Sequence, residues 1–213
     1  MMPDELLGRY RHLRAISTRH HSAALKFLAR PTILEHARRL GLARGQVLVA
    51  DSAGEMTLVF DLAIYSAKQG GSRAIDRYAK AAHLAPGSDE ALMLKAMRTA
   101  RFSIWRIECR HEAIGLVVTD LVRKAKAWLI DESLAASVPE GTTLAGRLCE
   151  PENFAMSGGV MVPVDAEMLE KVLVEPWVSR HADSARMADD PRFATAIYRA
   201  AVECRVMARV TFE

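Results

Sequence analysis

Cys109 and His111 stand two residues apart in a run that alternates like a β-strand, and that spacing puts both side chains on one face. A thiolate beside an imidazole is the beginning of a zinc site, but such a site needs further ligands. The sequence offers no CxxC or HxxxH partner, and His20, His21 and His36 reach the pair only through the fold. The expectation is a buried cysteine next to a strand-end histidine, with no metal and no cofactor. Asp120, Asp131 and Glu132 form a second group. Two carboxylates that approach each other push their pKa values apart and divide acid and base roles. A catalytic reading therefore takes Asp120 and Asp131 as the pair and His111 as a helper. Against it, acids at strand ends are common turn formers. Ser157-Gly158-Gly159 offers backbone amides to an anion but lacks the strand–loop–helix setting of a phosphate loop, and reads as a hairpin turn or bulge. No GxSxG, HExxH or Walker sequence is present.

Charge gives a different hint. Nine Lys or Arg residues lie between Gly8 and Val49 against one acid, Glu35, and the rest of the chain is net acidic. Arg11, Arg14 and Lys26 share a face if the first helix is continuous, and Arg38 and Arg39 close the next helix. Together they propose a phosphate-binding face for nucleic acid. The competing reading is a solvated surface, with cations favoured at helix C-termini. Trp105 and Trp128, with the basic tip Arg123-Lys124-Ala125-Lys126, propose a stacking platform for single-stranded RNA; the competing reading is barrel core.

The elements that must position these residues change rhythm near residue 101. Up to about Ala100 the apolar residues recur at helical spacing, with capping boxes at Thr32-Ile-Leu-Glu35 and Ser52-Ala-Gly-Glu55. One helix or two broken ones cover residues 4–29. The helix after Ser52 is apolar nearly all round and should be central. From Arg101 to Val164 short alternating runs are separated by turn residues, which predicts an antiparallel meander or half-open barrel. Asp165 and Asp190-Pro191 then open two further helices, the last packing back on the N-terminal bundle. The expected class is α+β, with a helical region over 1–100, a β module over 101–164 and C-terminal helices over 165–213, in separate units or one domain.

The order of elements over 88–163, with Thr119-Asp120-Leu121 in a hairpin, a strand ending in Asp131 and a Ser-Gly-Gly turn, resembles uncharacterised bacterial families known as domains of unknown function. The resemblance implies no activity. Half of the 213 residues are hydrophobic and a quarter are charged, enough for a packed core. No run approaches the roughly 18 apolar residues a membrane span requires. No signal segment is visible, and three scattered cysteines suit a reducing cytoplasm. The leading expectation is a non-enzymatic binding or regulatory protein contacting nucleic acid. The alternatives are the carboxylate enzyme and a homodimeric scaffold.

Overall fold

Most helix starts in this chain are set by side-chain caps or proline. The computed structural model describes residues 2–67, 70–180 and 183–209. The first helix, α1 (Pro3–Leu25), is unbroken. The next, α2 (Arg30–Arg39), begins at Ala29 rather than at the expected Thr32 cap. Pro31 explains the shift: a first turn has no use for the missing N–H, so proline is favoured there and Thr32 falls inside the helix. A two-residue ladder that the sequence does not announce, β1 (Ala43–Arg44) with β2 (Val47–Leu48), leads to α3 (Ala53–Tyr65). Ser52 caps α3 by accepting from the Glu55 amide at 3.2 Å, while the Glu55 carboxylate accepts from the Asp51 amide at 2.6 Å. The apolar circumference of α3 is explained by its place between two cores. Leu58, Val59 and Leu62 join the packing around α2 and the C-terminal helices, whereas Ile64 and Tyr65 join the packing of α1. Helices α4 (Ala74–Ala81) and α5 (Asp89–Arg98) complete that second core.

The change of rhythm at residue 101 marks a five-stranded antiparallel sheet. Its strands are β3 (Arg101–Arg110), β4 (Leu116–Asp120), β5 (Ala125–Leu129), β6 (Thr143–Cys149) and β7 (Met156–Pro163), ordered β5-β4-β3-β6-β7. The long β3 serves both halves: Arg101–Arg106 pair with β6 and Trp105–Arg110 with β4. The two outer strands meet through a parallel bridge between Leu129 and Ala155, where the Ala155 amide donates to the Trp128 carbonyl at 2.7 Å and the Ile130 amide to the Ala155 carbonyl at 2.9 Å. The meander is therefore pinned into a barrel. Helix α6 (Glu132–Ser137) connects its third strand to its fourth, and Leu134, Ala135 and Val138 pack on the barrel interior. Three meander strands, an intervening helix, and a fifth strand that returns parallel to the third give the connectivity of the five-stranded Greek-key OB barrel.

Alternation sorts the barrel's side chains. Trp105, Ile107, Leu116, Val118, Leu129, Leu144 and Leu148 point inward and exclude water. Phe102, Ile104, Ala145, Val160 and Val162 point outward into the helical body formed by α2, α3, α7 (Ala166–Leu173), α8 (Ser184–Asp189) and α9 (Pro191–Glu203). The last helix packs back on α3 of the N-terminal helices and on α7 and α8. These contacts cover the outer face of β6, β7 and the first half of β3. These helices leave uncovered the outer face of β4, β5 and the second half of β3, where Arg106 and Lys126 are exposed and Trp128 is half-buried against the α1–α5 core.

Candidate functional site

The open face is built from two cross-strand rows. In the first, Arg106 on β3 sits opposite Thr119 on β4, which sits opposite Lys126 on β5. In the second, Cys109 is opposite Val117, which is opposite Trp128. Arg106 pairs with Glu108 at 3.0 Å, while neither Lys124 nor Lys126 forms an ion pair among the described residues. The Thr119 hydroxyl and the Arg106 guanidinium hold the Glu108 carboxyl below its usual range. Lys124 and Lys126 are held out by the β4–β5 turn. Asp120 organises that turn: its Oδ1 accepts from the Ser103 hydroxyl at 2.6 Å and from the Val122 and Arg123 amides at 2.9 Å. Its Oδ2 accepts from Arg123, whose guanidinium also reaches Asp189.

At the other end of the second row, the Trp128 indole donates to the Ile114 carbonyl at 2.7 Å and meets Phe154 edge to face. His111 stacks on the indole. Trp105, in contrast, is barrel core, and its indole N–H donates to the Gly146 carbonyl at 3.0 Å. Of the two tryptophans in the expected platform, only Trp128 lies on the outer face.

A cleft of about 650 Å³ lies elsewhere, between α1, α6 and β7. Arg11 spans it as a fork to Glu132, at 3.0 and 2.7 Å, and holds that carboxyl below its usual range. Arg14 donates to the Ser157 carbonyl at 2.6 Å. Asp131 caps α6, accepting from the Leu134 amide at 3.1 Å, and takes the Ser157 hydroxyl on its other oxygen. Burial, with Asp131 nearby, raises the Tyr10 phenol above its ordinary pKa.

The expected pairing of Asp120 with Asp131 does not occur. Asp120 pairs with Ala125 at the hairpin end of β4, whereas Asp131 follows Leu129, which pairs with Leu116 at the opposite end. The strand between them runs about 3.3 Å per residue, so the carboxylates are separated by the length of the barrel wall. His111 shares Asp131's end but turns outward onto Trp128. A bulge between Ile107 and Cys109 carries Cys109 to the exposed surface, correcting the expectation that it is buried. Among the described residues no group of three or more side chains could hold a metal ion.

The structure brings Arg11 and Arg14 to one cleft but does not gather the other expected cations beside them. Lys26 follows the end of α1, about 18 Å along the axis from Arg14 at 1.5 Å per residue. Arg38 donates to the Gly45 carbonyl at 2.8 Å beside the small ladder, and Arg39 pairs with Glu35. Of the Arg106–Thr119–Lys126 row the sequence points only to Lys126, in the basic tip; Arg106 and Thr119 join it only through strand register.

Fold and open face define a small β-barrel set into a helical body, with one sheet surface presenting cations beside an aromatic pair. The chain belongs to the family of unknown function DUF7986, whose sequence profile matches residues 4–198, from α1 into α9. No curated protein and no solved structure matches it. Among the described residues no helix is long and apolar enough to cross a membrane.

Proposed function

We propose that this is a non-enzymatic binding protein that holds single-stranded nucleic acid on the outer face of β3, β4 and β5. The observation that carries the reading is the adjacency of the two rows. Arg106 and Lys126, with Lys124 beyond the turn, supply cations for a phosphate backbone, while Trp128 and His111 supply a π-surface for a base one row away. The barrel connectivity adds an analogy, since OB barrels bind oligonucleotides on the face of their second and third strands. Three unbridged cysteines support residence in a reducing cytoplasm. The exposed Val47, Leu48 and Val49 support a homo-oligomer, which a monomer by sedimentation at high concentration removes.

The test is fluorescence anisotropy with labelled oligouridine and oligothymidine at 50 and 200 mM salt. Binding that weakens steeply with salt is expected. No binding at the lower salt, or binding indifferent to salt, overturns the reading.

A further inference from the structure

We infer that the cleft between α1, α6 and β7 is a binding site for a small amphiphilic organic anion, separate from the open face of the barrel. Its volume, about 650 Å³, falls in the range of small-molecule sites. One side is apolar, lined by Leu134, Val138, Leu144, Met161 and Pro163. The other side carries Arg11 and Arg14 against Asp131 and Glu132, formally balanced, so what decides the ligand is which of these groups keeps hydrogen-bonding capacity unused. Both Glu132 oxygens are taken by Arg11, and Asp131 is occupied by the Leu134 amide and the Ser157 hydroxyl. Arg14 is the exception. It is half-buried, makes a single hydrogen bond, to a neutral carbonyl, and has no ion-pair partner among the described residues. A guanidinium has five N–H donors in a planar fork matched to carboxylate or phosphate. Arg14 therefore keeps unused donors at the cleft wall, where the oxygens of both carboxylates are already occupied.

The backbone of β7 contributes to the same wall. Between the pairs Gly146–Met161 and Leu148–Ser157 the register shifts, so that Gly158, Gly159 and Val160 lack cross-strand partners. Gly159 is exposed into the cleft at φ +151°, a conformation L side chains rarely adopt. At this point the wall of the cleft is therefore backbone rather than side chain. A ligand with its anionic head on Arg14 lays its apolar body toward Leu134, Val138 and Met161.

Calorimetric titration of the full chain tests this with four probes: sodium octanoate, octyl phosphate, 1-octanol and sodium acetate. Octanoate or octyl phosphate should bind saturably, one per chain, and the tighter of the two identifies the head group. Octanol should bind at least about tenfold more weakly, because it lacks the charge-assisted bonds, and acetate should not bind measurably. Arg14→Gln should weaken the anion at least about tenfold while Arg14→Lys loses less. Ala15→Trp, from an exposed position on the cleft wall, should abolish binding by filling the cleft. Lys26→Gln should leave binding intact. Octanol as tight as the anions, no saturable binding of either anion, or unchanged affinity in Ala15→Trp overturns the proposal. If Arg14→Gln fails to fold, the octanol comparison and Ala15→Trp decide it.

Discussion

The imidazole of His111 lies nearly flat on the indole of Trp128, with ring centroids 4.2 Å apart and planes 13° from parallel. One ring comes from the β3–β4 turn and the other from β5, so the stack ties that turn to the sheet edge. If a base adds to this stack, His111→Ala should weaken oligouridine binding about tenfold, within the range measured for removing one aromatic ring from beneath a base. His111→Phe should restore most of it. The checks are anisotropy for affinity and circular dichroism for the fold; equal affinity in wild type and His111→Ala removes the stack from the site.

Lys124 and Lys126 test the electrostatic half of the same reading. Each phosphate that a cation neutralises on a single strand adds about 0.7 to the steepness of log K against log salt. The double variant Lys124→Gln/Lys126→Gln should therefore flatten the slope by about 1.4. A triple variant at Lys26, Arg38 and Arg39 is the companion measurement. An unchanged slope there places the nucleic acid on the barrel, and the reverse pattern returns it to the N-terminal helices.

Much of this architecture is legible in the sequence because its causes are local. Ser52, Ser88, Asp165 and Asp190 accept from amides two or three residues on, as their types and the following periodicity imply. The alternation in 101–164 is equally local. What the sequence conceals is register and closure. No local pattern marks the bulge that exposes Cys109, and the Leu129–Ala155 bridge joins residues from different hairpins. Asp131 reads as a strand end but is a helix cap, because α6 is too short to show a period. Arg14 reads as one cation of a basic helix face until β7 is laid beside it.

Asp61 and Arg147 form a buried ion pair that joins α3 to β6. Arg147 Nε donates to both Asp61 oxygens at 3.1 Å, and the Tyr198 hydroxyl donates to Oδ2 at 3.1 Å. Removing one partner strands the other's charge in the core. Arg147→Met should cost about 3–5 kcal/mol in urea unfolding. The double variant Asp61→Leu/Arg147→Met should recover part of that loss, since a well-packed apolar replacement removes both charges together. A double variant as unstable as the sum of the singles argues against this account.

His20 and His21 set the pH dependence near neutrality. His20 places Nε2 at 2.9 Å from the Glu90 carbonyl, so that nitrogen carries the proton and Nδ1 accepts from the Tyr78 hydroxyl. His21 is the opposite tautomer: Nδ1 donates to the Ser17 carbonyl and Nε2 accepts from the Tyr65 hydroxyl. Burial lowers both pKa values below the 6.5 of a free imidazole. The unfolded chain therefore takes up protons that the folded one refuses. Stability should be level above about pH 7 and fall as pH drops below 6.5 toward the folded values, a tenfold weaker proton affinity in the folded chain corresponding to about 1.4 kcal/mol. Asp76 acts in a separate, lower window. Arg73 and Arg98 hold its carboxyl below 3.8, so its contribution is present above that value and lost as pH falls further. Urea midpoints at pH 7.5, 6.5 and 5.5 should decline in the wild type. In His20→Gln/His21→Gln they should start lower but stay nearly constant over that range. A wild-type midpoint that does not move between pH 7.5 and 5.5 would show that the two imidazoles titrate alike in the folded and unfolded chain.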